Sequence, residues 1–108
     1  MDYQVKISPT AALQLNQTVR YISEILLVPK IAKKWLGVME AAILALDTLP
    51  NRYPLVEEEP WHTKNIRKMV IKGFIVYYLV NENKNVVTVT AVIYERRDQI
   101  NALRDIEI

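Results

Sequence analysis

Phe74-Ile-Val-Tyr-Tyr-Leu-Val80 is an unbroken apolar and aromatic run, preceded by Asn65-Ile-Arg-Lys-Met-Val-Ile-Lys-Gly73 and followed, after the polar Asn81-Glu-Asn-Lys-Asn85, by Val86-Val-Thr-Val-Thr-Ala-Val-Ile-Tyr94. A strand with no polar residue on either side needs both faces covered, which places it in the interior of a sheet. The polar pentapeptide has hairpin-turn composition, and the Val/Thr-rich segment beyond it has high β-propensity, so the two strands pair as antiparallel neighbours. Tyr77 and Tyr78 read as core or sheet-face packing, because their neighbours are apolar.

Outward from this run, the rest of the chain supplies a cover. Tyr3, Val5 and Ile7 alternate with Gln4 and Lys6, the period of a short edge strand. Ser8 before Pro9 is an N-cap followed by proline in the first helical turn, where the missing N–H costs nothing. Ala12, Leu15, Val19, Ile22 and Leu26 then form an inward stripe, with Gln14, Gln17 and Arg20 facing out. Pro29 ends this helix and opens a second, in which Ala32, Trp35, Met39, Ala42, Leu46 and Leu49 repeat the spacing until Pro50; Gly37 within it suits a close approach. Two helices joined by so tight a turn lie antiparallel and close one side of the central strand. The prolines of Pro50-Asn-Arg-Tyr-Pro-Leu-Val-Glu-Glu-Glu-Pro60 make a loop from helix to sheet, and the tail 98–108 carries Ile100, Leu103 and Ile106 at helical spacing.

The 108 residues, 51% of them hydrophobic, suit one domain over 1–108 with one core. No apolar run approaches the roughly 20 residues that cross a bilayer, and the start lacks a basic region followed by an apolar one, so a cytoplasmic location without membrane association is expected. The absence of cysteine excludes disulfides and thiolate metal sites and suits a reducing compartment. With His62 the only histidine and Glu57, Glu58 and Glu59 in a solvated loop, no metal site is expected. Gly37 and Gly73 lack the neighbours of a phosphate-cradling loop, and a Ser/His/Asp triad has only His62 to use, far along the chain from Ser8 and Ser23.

The net charge of +2 is too small to argue for nucleic acid, but it is unevenly placed. Lys64, Arg67, Lys68 and Lys72 precede the central strand, and Arg96 and Arg97 follow the last one. Gathered on one surface, they would bind a phosphate backbone or an acidic partner, with Tyr94 placed to stack on a base. Read structurally, they are solvated edge residues of the kind that prevents sheets from pairing with one another.

Taken in order, the Ser-Pro helix start, the helical hairpin, Arg52-Tyr-Pro-Leu-Val56, Ile66-Arg-Lys68, Phe74-Ile-Val-Tyr77 and Val92-Ile-Tyr-Glu-Arg-Arg-Asp98 resemble the RelE/ParE superfamily of bacterial type II toxins along nearly the whole chain. The resemblance implies an α+β domain: an N-terminal edge strand and an antiparallel two-helix hairpin packed on a mostly antiparallel sheet of about four strands. It also implies a cognate antitoxin that wraps around the toxin, and no cofactor. RelE-like members cut mRNA on the ribosome with basic residues and a proton-transfer group. For that activity Lys68, Arg96, Arg97 and Tyr94 are the catalytic candidates. The strand arginine of those enzymes falls at Ile75, however, and their terminal tyrosine near Asn101. ParE-like members poison DNA gyrase without a nuclease centre, and the long hairpin and the Tyr94-Glu-Arg-Arg-Asp98 ending look more like that branch. Lys64, Arg67 and Lys72, with Arg96 and Arg97, would then be target or nucleic-acid contacts. A third reading is a toxin-fold protein that has lost toxicity and only binds an antitoxin.

Overall fold

A computed structural model describes residues 2–106; Met1 and residues 107–108, the last two of the expected helical tail, lie outside it. The chain forms β1 (Gln4–Ile7), α1 (Pro9–Arg20), α2 (Pro29–Leu44), β2 (Ile66–Ile71), β3 (Phe74–Asn81), β4 (Val86–Tyr94) and α3 (Gln99–Arg104). The four strands lie in the order β1-β4-β3-β2, with β1 parallel to β4 and the other pairs antiparallel. The apolar run is therefore an interior strand, as its composition demands.

Helix α1 starts where its cap predicts: Ser8 Oγ accepts the Ala11 N–H at 3.1 Å. A wider π-helical turn, Tyr21–Ile25, follows it, with Leu26 N–H reaching back five residues to the Tyr21 carbonyl at 3.1 Å. Of the predicted stripe, Leu15 is buried and Ala12, Val19 and Ile22 are half-buried, but Leu26 is exposed and Ala11 takes the core position instead. The second stripe holds from Ala32 to Ala42 in α2 and on to Leu46 in the 3-10 turn Ala45–Asp47 that follows it, and fails at Leu49, which adopts a left-handed φ of 48°. Gly37 is solvent-exposed, with open space where a Cβ would sit, so it serves no close approach.

Both faces of the sheet are covered. On one, Met69, Val76, Tyr78, Val87, Val89 and Val92 pack against Leu15, Met39 and Ile43 of the hairpin. On the other, Ile66, Tyr77, Ala91 and Ile93 meet Val56 and Trp61 from the long loop and Ala102 and Leu103 of α3. A bulge in β4 sets which residues face which layer. Tyr77 pairs with Ala91 and Tyr78 with Val89, leaving Thr90 as the extra residue, its Oγ1 donating to the Tyr77 carbonyl at 3.2 Å. Val89 and Val92 thus face the same side although their spacing is odd.

Pairing of β1 with β4 stops at Ile7, and α1 completes the edge. Ser8 N–H donates to the Val89 carbonyl at 2.9 Å, Ser8 Oγ to the Thr90 carbonyl at 3.2 Å, and Gln14 Oε1 accepts the Val92 N–H at 2.7 Å. Among the described residues, no helix is long and apolar enough to cross a membrane.

Candidate functional site

β2 and β4 deliver the sequence-predicted cations to three separate places. The first is the end of the sheet where β2 turns into β3. Lys72 and Gly73, with φ of 50° and 77°, form a two-residue turn of the kind that matches strand twist. Glu95 N–H donates to the Gly73 carbonyl at 3.0 Å, so this turn abuts the end of β4. Arg96 and Arg97 follow at once, exposed on a turn closed by Arg97 N–H on the Tyr94 carbonyl at 3.0 Å. Gln99 fastens it: its Nε2 donates to the carbonyls of Tyr94 and Arg97 at 2.7 and 3.0 Å, while its Oε1 accepts the Tyr77 hydroxyl at 2.9 Å. Asp98 caps α3 by accepting the Asn101 N–H at 3.3 Å. Lys72, Arg96 and Arg97 therefore share one end of the sheet.

Lys64 and Arg67 lie towards the opposite end, where Ile66 pairs with Leu79. Arg67 is half-buried and its Nη1 donates to the Tyr53 and Asn51 carbonyls at 2.6 and 3.2 Å. Its charge holds the loop to β2.

Lys68 stands alone in mid-strand on the α3 side. It lines a cavity of about 370 Å³ with Glu58, Trp61, Ile75, Tyr77 and Asp98. Burial, helped by the negative charge of Glu58, pushes the Tyr77 hydroxyl up to about 12.

Tyr94 is on the other face. Its ring lies 5.5 Å from Phe74, itself 5.0 Å from Trp35, and it lines a groove of about 570 Å³ with Gln17, Tyr21 and Arg97. Lys68 pairs with Tyr77, whereas Tyr94 pairs with Phe74, a residue of the opposite parity on the same strand. The sheet thus separates Tyr94 from Lys68. His62 bonds through Nδ1 to the Val56 carbonyl at 2.9 Å, and no group of three or more metal-ligating side chains occurs among the described residues.

Sequence reading missed Gln99 and Trp61. The cap residue Asp98 ahead of an apolar-periodic tail was the available signal for Gln99, which stands at the first helical position after it. Trp61 had no periodic signal, since it sits between prolines and charges.

Residues 5–99 match the family described as ParE toxin of type II toxin–antitoxin system, parDE. The chain belongs to the ParE toxin family. A chain of the chromosomal ParDE system from P. aeruginosa superposes with a TM-score of 0.70 at 16% identity, over 85% of this chain and 95% of that one. The RelBE2 toxin–antitoxin complex of Mycobacterium tuberculosis gives 0.61 at 19% identity, covering 87% and 99%, and a mutant of E. coli toxin RelE in the free state gives 0.61 at 13%, covering 94% and 93%. No curated protein matches significantly. At these identities the likeness to the solved structures is one of fold, and it is shared by ParE and RelE members alike. Family membership makes this chain a toxin of a type II toxin–antitoxin system.

Proposed function

We propose that this ParE-family toxin arrests growth by inhibiting DNA gyrase, without a nuclease centre, and that a cognate antitoxin neutralises it. The surroundings of Lys68 carry this reading. Cutting RNA by its own 2′-hydroxyl needs a proton acceptor and cations converging on the scissile phosphate. Lys68 instead shares its cavity with Glu58 and Asp98, whose charge repels phosphate, and with the uncharged Ile75 and Trp61. The phenol in that cavity, Tyr77, is held protonated and bonded to Gln99. Lys72, Arg96 and Arg97 then serve as contacts to the target. Of the superposed structures, those from P. aeruginosa and M. tuberculosis belong to toxin–antitoxin systems, which supports an antitoxin partner.

Expression of the chain alone should stop growth, co-expression of the antitoxin from an adjacent reading frame should restore it, and purified chain should block gyrase supercoiling. Codon-phased mRNA ends in arrested cells with normal supercoiling would establish a RelE-like interferase instead. Healthy growth without antitoxin would establish the non-toxic binding protein.

A further inference from the structure

The tip of the helical hairpin gathers five exposed large apolar side chains that take no part in the fold's core. Tyr21, Ile25, Leu26, Leu27 and Ile31 have 53%, 67%, 51%, 75% and 58% of their surface accessible. Solvation disfavours such a cluster, and on a folded protein it marks a surface that another body covers. Leu27 adds a second sign. Its φ of 58° is the left-handed conformation that glycine or asparagine adopts at little cost after a helix, yet a large, exposed leucine occupies it. Turn geometry does not ask for that side chain.

Charge says what covers the tip. Residues 20–34 hold Arg20, Lys30, Lys33 and Lys34 against Glu24, a net of +3, more than the +2 of the whole chain. Glu24 is paired with Arg20 at 3.9 Å, while Lys30, Lys33 and Lys34 are exposed and have no ionic partner among the described residues. A second copy of this tip would be repelled. Shape narrows the choice further: a turn between two helices is convex, so its complement is a cleft, which a folded partner supplies and an extended wrapping segment does not. Tyr21 lines both a shallow depression at the tip and the groove that holds Tyr94 and Arg97, so the tip is continuous with the Arg97 end of the sheet.

We propose that the hairpin tip is the anchoring part of this toxin's target-binding surface, continuous with the Arg96–Arg97 end of the sheet, and inserts its apolar side chains into a cleft rimmed by carboxylates on DNA gyrase. This rests on the gyrase reading above for the identity of the target. Two variants test it: Ile25→Ser/Leu27→Gly/Ile31→Ser removes the apolar tip and relaxes the backbone at Leu27, and Lys30→Glu/Lys33→Glu/Lys34→Glu reverses the collar. Circular dichroism and thermal melts should show both folded, because every substituted side chain is exposed. Each variant should need about tenfold or more protein for half-inhibition of supercoiling, as loss of an anchor cluster does at interfaces, and should bind the antitoxin within about twofold of wild type. Folded variants that inhibit like wild type, or that lose antitoxin binding while still inhibiting, overturn the proposal. If wild type arrests growth but leaves supercoiling untouched, the gyrase reading falls and growth decides the tip. Variants that bind antitoxin but no longer arrest growth uphold it as a target surface, and variants that arrest normally overturn it.

Discussion

Gln14 lies on the side of α1 that the hydrophobic pattern assigns to solvent, yet its Oε1 receives the Val92 N–H where β1 no longer reaches β4. Periodicity registers how apolar a position is, and so misses a polar side chain recruited to an unpaired backbone donor. Gln14→Leu should cost about 1–3 kcal/mol in urea unfolding, the penalty for an orphaned donor, and Gln14→Glu should recover part of it by keeping the acceptor. Tyr77 and Tyr78 were legible as packing residues from their apolar neighbours, but their hydroxyl partners, Gln99 Oε1 at 2.9 Å and the Pro50 carbonyl at 2.5 Å, lie far along the chain. Burial raises both hydroxyls from 10.0 to about 12. A raised acid is held neutral by the fold, so its stabilising contribution is complete below pH 10 and disappears as pH climbs from there towards 12. Denaturant midpoints should thus show no loss from this source up to about pH 9 and a decline above about pH 10. Absorbance titration should find two of the six tyrosines ionising after the rest.

The helical hairpin and three of the strands follow from short-range signals that point the same way: Ser8-Pro9 for one helix start, Pro29 for the other, period-2 alternation in β1, an unbroken apolar run for β3 and Val/Thr-rich composition for β4. The cover on the second face had a weaker signal: Ile100, Leu103 and Ile106 stand at helical spacing, but α3 is only six residues long and leaves Ile100 exposed, and the loop that supplies Trp61 has no period. That cover is nonetheless structural. Leu103→Ala should destabilise by about 2–4 kcal/mol, as deletion of a buried leucine does, and should lower protection of the β3 and β4 amides from hydrogen exchange on the same face. The bulge at Thr90 was silent. An unbulged β4 would send Tyr94 to the side of Lys68, and the extra residue sends it to the hairpin side instead. For that reason the candidate site could be read as a set of residue types but not as an arrangement.

Across the whole molecule, the sheet acts as a partition. Its α3 side holds Lys68 among carboxylates, aromatics and a protonated phenol; its hairpin side and one end hold Tyr94, Arg97 and the exposed helical tip. Arg96 and Arg97 stand outside the core on a turn fixed by Gln99, so Arg96→Ala/Arg97→Ala should shift stability by no more than about 0.5 kcal/mol, the usual range for surface positions, while weakening gyrase inhibition. A protein poison acting through surface contacts and a nuclease acting through Lys68 make opposite demands on that one lysine. The most direct measurement is therefore a titration of purified wild type and Lys68→Ala into a gyrase supercoiling reaction, with mRNA ends mapped in cells expressing each. The proposed function predicts that both proteins block supercoiling at similar concentrations and leave no codon-phased cuts. Unimpaired supercoiling, with codon-phased cuts from wild type that vanish in Lys68→Ala, would contradict it.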